Sequence, residues 1–457
     1  MDINEILNGD DINEVVSLLK KKSVQVPNWD LLKKEYDPNF HPVNDRSVYR
    51  DRGSSIDDEV IRISYDLQRL AVSRTTELVF GIPVKRIYNA TTEKQKEVQK
   101  YIESIFKRNH IDSVNLERGR MLFASCEVCT IWYGVIEQNT YYGFDSKVKL
   151  RCKNYSPMLG DKLYPLFDQY GDMIAMSVEY TRKVEDKNEY FFDCYTKDKH
   201  IFYSGSNGKY TRKEDETIAI GKIPAVYCWR PTPVWENTSG LIYEMEWTMS
   251  RSGNYLKKNS KPVFAVFTDA VENEEKEKSE NEEDKAILKF DRGDSAQYIT
   301  WNQAVENLRF YMTELRQSFF TSLQLPDWSF EAMKQTPMSA ESRRQLFIDA
   351  QLKVKDEAGR LIEFLDREVS VLKSFLKLML PPDYSPEIDS LLVENEITPF
   401  TINDDEQTIK NIMMANGGKP IMSQRESIEA LGWSVDSSQT LKEIQEESAL
   451  SSMNLVM

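Results

Sequence analysis

From Asn302 to Met379 apolar residues recur three or four positions apart in two long stretches with a proline-bounded break between them. In the first stretch Val305, Leu308, Met312, Leu315, Phe319 and Leu323 fall on one side of a helix whose other side carries Glu306, Arg309, Glu314 and Arg316. The second opens at Ser339, a good N-cap. It keeps one stripe through Phe347, Ala350, Val354, Ala358, Leu361, Leu365, Val369, Leu372, Leu376 and Met379, until Pro381 and Pro382 end it. At about 1.5 Å per residue this predicts a rod roughly 60 Å long. The break, Leu325 to Met338, has Pro326 and Pro337 near its ends and Asp327, Trp328, Phe330, Glu331, Lys334 and Gln335 inside.

Earlier in the chain, Ile12, Val15, Val16, Leu18 and Leu19 predict a short helix, followed by a polar loop rich in Pro, Asn and Asp to about residue 50. Ile56 to Phe80 reads as a helix stopped by Gly81-Ile82-Pro83, and a second follows Thr92 with Val98, Ile102, Ile105 and Phe106 on one face. A third, Asp112 to Ser125, leads into a β-branched and aromatic strand, Val128 to Ile136. Residues 147 to 229 give short strands with turns at Tyr170-Gly171-Asp172, Asp186-Lys187-Asn188 and Ser206-Asn207-Gly208. The first half is therefore expected to be α+β with an antiparallel sheet. Gly240 to Lys258 predicts another helix, and strands are expected at Pro262 to Thr268, Ala286 to Phe290 and Ala296 to Trp301. Two helices of similar length thus bracket a small β-rich insert. Its run from Asp269 to Lys285 holds nine acidic and three basic residues, which suits a solvated loop.

Composition adds a charge argument. The chain has 457 residues, 74 acidic and 59 basic, a formal charge of -15. A surface this negative repels phosphate at long range and disfavours tight, extended binding to duplex DNA, though not its passage as cargo. The five cysteines, Cys126, Cys129, Cys152, Cys194 and Cys228, are unevenly spaced and are expected to be reduced thiols of a cytoplasmic protein. The first residues carry no secretory pattern, and the longest apolar runs are of strand length.

Candidate chemistry is sparse. Cys126 and Cys129 have the spacing of half a zinc site with no second pair, and buried thiols leading into a strand are expected instead. His41, His110 and His200 stand apart, with no nucleophile motif beside them. Asp57-Asp58 and Asp404-Asp405 could bind a divalent ion, but at helix starts they suit the helix dipole. No Gly-x-x-x-x-Gly-Lys-Ser/Thr stretch occurs, so an NTP-driven motor would be a separate protein. No cofactor, metal or catalytic residue is expected.

The order of elements, with the step Thr336-Pro337-Met338-Ser339-Ala340-Glu341-Ser342 and the late Ile421-Met422-Ser423-Gln424-Arg425-Glu426-Ser427 followed by Leu431-Gly432, resembles the portal proteins of tailed double-stranded DNA phages, in their compact branch. The resemblance implies a portal fold. Residues 1–239 would form an α/β wing, 240–258 and 302–324 a two-helix stem, and 259–301 a β-rich clip. Residues 325–338 would be a tunnel loop, 339–402 the long helix and wing return, and 403–457 a helical crown.

It also implies a homo-oligomeric ring of about twelve copies at one capsid vertex. The ring would be assembled in the host cytoplasm, carried in the virion and threaded by double-stranded DNA. The terminase large subunit, a head-tail adaptor, and the major capsid and scaffolding proteins would be its partners, with no membrane involved. On that reading Asp327, Trp328, Phe330, Glu331, Lys334 and Gln335 face the channel, and Lys257, Lys258 and Lys261 are cations near it. Met245, Trp247, Phe310, Tyr311 and Phe320 exceed what one intrachain helix contact buries and are expected at the subunit interface. Two other classes stay open: a scaffold or adaptor that uses the long helix as a coiled coil, and a metal-dependent nuclease.

Overall fold

The computed structural model describes residues 3–9, 11–47, 60–184, 187–206, 209–213, 215–259, 263–267, 295–299, 305–327, 348–399, 405–417, 420–434 and 437–454. They fall into two compact units, residues 1–325 with 357–398, and residues 326–356 with 399–457.

The first unit begins with α1 (Ile3–Leu7) and α2 (Ile12–Leu19), the latter capped by Asp11, whose side chain accepts the Asn13 N–H at 2.9 Å. Val15, Val16 and Leu19 of α2 pack on Phe192, Cys194, Ile201 and Tyr203. Helix α3 (Trp29–Tyr36) forms within the segment expected to be loop, capped by Asn28 and set by the Tyr36 ring against Trp235. Eight residues with two charged pairs give little periodic signal, so the contact that holds α3 is tertiary.

Of the helix expected from Ile56, residues 56–59 lie outside the described residues, and the described helix is α4 (Leu67–Phe80). The described residues before it, 60–66, are neither helix nor strand. Their backbone is taken by a later helix: the N–H groups of Ile61, Ile63 and Tyr65 donate to Asn254 Oδ1 (2.7 Å), Ser250 Oγ (2.9 Å) and Glu246 Oε1 (2.7 Å). Alternate residues of an extended chain advance about 6.6 Å and every fourth residue of a helix about 6 Å, so the two periods nearly coincide. Apolar spacing at Ile56, Val60 and Ile63 cannot reveal such a contact.

Next come β1 (Lys85–Tyr88), α5 (Glu93–Arg108) with a Thr92–Gln95 capping box, and α6 (Ile111–Ser125). The strands β2 (Glu127–Asn139), β3 (Ser146–Tyr155), β4 (Lys162–Phe167), β5 (Met173–Val184), β6 (Lys187–Tyr195), β7 (Lys199–Ser206), β8 (Lys209–Arg212), β9 (Glu216–Thr217) and β10 (Ala225–Trp229) follow. They form a three-stranded sheet in the order β10-β2-β3 and a sheet in the order β4-β5-β6-β7-β8, with β9 beside β7. Every pairing in both is antiparallel, as the turn chemistry predicts. Ile131, Tyr155, Leu163, Val178, Tyr180, Tyr195 and Ala225 share one buried core.

Helix α7 (Ser239–Asn259) leads to a two-stranded antiparallel insert, β11 (Val263–Phe267) with β12 (Ser295–Ile299), and α8 (Val305–Ser322) follows it. The expected strand Ala286 to Phe290 and the acidic run Asp269 to Lys285 lie outside the described residues, as do Ser339 to Phe347. The long helix is α9 (Ile348–Met379), followed by α10 (Ser385–Ser390) and β13 (Val393–Glu396), which pairs antiparallel with β1.

Within the first unit α9 is fastened by charge. Glu368, fully buried, accepts both terminal nitrogens of buried Arg118 (3.1 and 2.5 Å) and Trp132 Nε1 (2.9 Å). The second unit holds the turns of α9 up to Asp356 together with α11 (Asp405–Asn416), α12 (Gln424–Leu431) and α13 (Ser437–Asn454). A Ser423–Glu426 capping box starts α12, and Gly432 ends it at φ 68°, a left-handed position that glycine occupies without strain.

A second buried charge sits under α7. His41 Nε2 lies 2.7 Å from the Glu35 carbonyl, which can only accept, and Nδ1 lies 2.7 Å from Glu246 Oε1. That oxygen also receives the Tyr65 N–H, and a protonated ring is the form that can donate from both nitrogens at once, to the Glu35 carbonyl and to Glu246 Oε1. Burial works to lower the His41 pKa, but the bonds to Glu246 and Glu35 and the charges of Glu246 and Asp37 outweigh it and raise it above the ordinary 6.5. The pair's stabilisation is therefore complete below 6.5 and fades as pH climbs through the higher folded value. Urea midpoints measured against pH should fall over that range in the parent protein. His41→Gln should lose about 3–5 kcal/mol at acidic pH. Most of that fall should vanish with it, and an equal slope in both proteins would contradict the assignment.

Candidate subunit interface and channel elements

Helices α7 and α8 pack against each other and flank the two-stranded insert in the chain. On α7 the buried face is Ile242, Met245, Glu246 and Ser250, with Asn254 one turn further on. Gly253 lies where a Cβ would come within 3.2 Å of Ile61 Cγ2, so the extended segment 60–66 runs hard against the helix. Glu244 and Arg251 point outward, and the Arg251 guanidinium lies 5.2 Å from the Trp247 ring centroid.

Helix α8 changes character along its length. Near its end Phe319 and Phe320 are buried with ring centroids 5.3 Å apart, and Leu323 and Leu325 are buried after it. Nearer its start Val305 is 59% exposed, Phe310 67% and Tyr311 43%, with the Tyr311 hydroxyl donating to Glu244 Oε1 at 3.2 Å. A phenylalanine two-thirds in water on a helix carrying two more open apolar residues leaves apolar area for another surface.

The end of α8 is built to stop. Leu325 N–H donates to the Phe320 carbonyl and Gln324 N–H to the Thr321 carbonyl, both at 3.0 Å, while Gln324 sits at φ 54°. This is the Schellman pattern, with Phe320 and Leu325 supplying its apolar contact and glutamine where glycine is usual. The chain leaves the helix there, directly before Pro326.

Of the residues expected at the interface, Phe310 and Tyr311 are exposed, Trp247 is half-buried, and Met245 and Phe320 are buried within the protomer. Lys257 is exposed on α7, Lys258 lies near its end, and Lys261 is outside the described residues. Asp327 is half-buried; Trp328, Phe330, Glu331, Lys334 and Gln335 lie outside the described residues, as do Asp57, Asp58 and Asp404. Cys126 and Cys129 are buried, and burial pushes the Cys126 thiol up to about 12 and Cys129 higher still. Among the described residues no group of three or more His, Cys, Asp or Glu is placed to hold a metal. No helix among them is long and apolar enough to cross a membrane.

Apolar periodicity alone does not single out the charged residues that fix these helices. Glu246 and Glu368 each fall on the apolar face of their helix, at i+4 from Ile242 and i+3 from Leu365, and an acid on that face was the available signal.

Residues 17–452 match the family described as phage portal protein, SPP1 Gp6-like. The chain belongs to this portal family. No curated protein matches it. Solved structures with similarity include a chain from the neck of an empty gene transfer agent particle, computed with C6 symmetry. It shows a TM-score of 0.45 and 10% identity, over 90% of this chain and 96% of that one. A chain from the virion of the native gene transfer agent particle gives 0.43 and 10%, over 92% and 98%. In this portal-family chain, relieving the left-handed glutamine that ends α8 should stabilise the helix end. Gln324→Gly is expected to raise stability by about 1 kcal/mol. Urea unfolding of the variant should show a later midpoint, and an earlier one would mean that the Gln324 side chain does more than tolerate the turn.

Proposed function

We propose that the chain assembles into a ring at one capsid vertex and forms the channel through which double-stranded DNA enters during packaging and leaves on ejection. The observation that carries this reading is the family match over residues 17–452, joined to a helix pair that flanks a two-stranded insert and leaves Phe310 and Tyr311 open to solvent. In this reading residues 1–239 are the wing, α7 and α8 the stem, 259–301 the clip, 325–338 the tunnel loop, 339–402 the long helix and wing return, and 403–457 the crown. About twelve copies close the ring. The chain performs no catalysis: terminase supplies the motor, a tail adaptor docks after packaging, and capsid and scaffolding proteins surround the ring.

The charge balance suits a conduit. DNA that must slide in both directions is held fast by a wall that pairs with every phosphate, because each pairing releases counterions. An acidic protein with isolated cations, such as Lys257, Lys258, Lys261 and Lys334, avoids that trap. Asp327, Glu331 and Lys334 would offer mixed charge to the duplex, and Trp328 and Phe330 would pack against the loops of neighbouring copies or touch the DNA.

Two experiments test the reading. Replacing both Phe310 and Tyr311 with Ser should yield protomers or incomplete rings by light scattering, and full rings of unchanged stability would remove these residues from the interface. Lys334→Glu or Trp328→Ala should preserve rings and procapsids while shortening the packaged DNA or loosening its retention. Variant capsids that fill and hold DNA like the parent would show that this loop does not touch the cargo.

A further inference from the structure

Strand β1 carries two side chains with unpaired donors. Nε and Nη2 of Arg86 and the hydroxyl of Tyr88 are buried and lack hydrogen-bond partners among the described residues. The two residues are i and i+2 on one strand, hence on one face of it, and both line a cleft of about 460 Å³ between β1 and the facing ends of α5 and α6. The Arg86 guanidinium lies 3.9 Å from the centroid of the Phe106 ring, which steadies it but accepts no N–H bond. Leaving a buried guanidinium with idle donors is unfavourable by more than a neutral group would be. The cleft that these two residues line has a volume in the range of small-ligand sites.

We propose that this cleft binds one oxyanion group, a carboxylate or a phosphate, received by the guanidinium of Arg86 and the hydroxyl of Tyr88. A planar guanidinium with adjacent free N–H groups matches the paired oxygens of either group. Burial, with Glu103 adding and Arg86 opposing, raises the Tyr88 pKa, so the phenol remains a donor at neutral pH. The remaining lining sets the ligand's size. Lys107 stands with Arg86, but Glu103 and Asp112 also line the cleft, so its fixed charges balance. One oxyanion can seat against the donors, whereas a run of phosphates such as a nucleic-acid backbone would meet the two carboxylates. The group can come from a free small molecule or from an Asp or Glu side chain of a second copy, and the chemistry is the same.

Melting of the full chain in inorganic phosphate and in acetate, against chloride at equal ionic strength, tests the site, with light scattering on the same samples to report size. Binding to the folded state raises the melting temperature in a saturable way. Arg86→Gln should abolish that rise, and Tyr88→Phe, which deletes one hydroxyl, should require several-fold more anion for the same shift. A free ligand predicts the response in assemblies and protomers alike. A second copy's carboxylate predicts it in protomers only, with Arg86→Gln lowering the assembled fraction. Absence of a saturable response from both states, or an undiminished response in Arg86→Gln, overturns the proposal. Should Arg86→Gln not fold, a Tyr88→Phe titration identical to the parent's does the same. Because size is read separately, loss of ring formation cannot be mistaken for loss of the site.

Discussion

A carboxylate taken out of water must be met by donors, and two helices of this protein each bury one completely. On α7, Glu246 Oε1 is met by His41 and the Tyr65 backbone, while its Oε2 is buried without a partner among the described residues; on α9 both oxygens of Glu368 are met, by Arg118 and Trp132. Removing either partner of such a pair is strongly destabilising, because a lone charge remains in low dielectric. Apolar packing alone would let a helix rotate or slip a turn at modest loss. A buried charge with partners more than 150 residues away in sequence forbids it. The azimuth and height of both helices are thereby set by electrostatics, and the hydrophobic stripe fills in around them.

This division explains what could be read from the amino acids. Helices α5, α6, α7 and α9 and the antiparallel strands follow from periodicity and turn chemistry, since each carries its own face pattern over enough residues to stand out. The segment 60–66 has apolar spacing compatible with a helix, while its partners are side chains near residue 250, far along the chain. Strand β1 is four residues long and exists by pairing with β13, over 300 residues later. Local sequence does not carry such information.

The candidate site divides the same way. Exposed Phe310 and Tyr311 were visible as surplus apolar residues, whereas Met245 and Phe320, of equal apolar character, turn inward. Composition cannot separate the two pairs; only the neighbour across the groove can. The oxyanion cleft was invisible for a different reason. Its signal is the absence of a partner for Arg86 and Tyr88, and an absence has no residue pattern.

The cysteines carry a practical consequence. All five are free, four of them buried, and burial pushes the thiols of Cys126 and Cys228 up to about 12 and those of Cys152 and Cys194 to about 11, with Cys129 beyond. The thiolate is the species that reacts with maleimides, and at neutral pH these residues supply almost none of it. A cysteine introduced at an exposed position on α8 would then be the reactive handle of the chain without stripping the native five. Fluorophores or spin labels placed there could report whether copies of the chain associate, in the native sequence background.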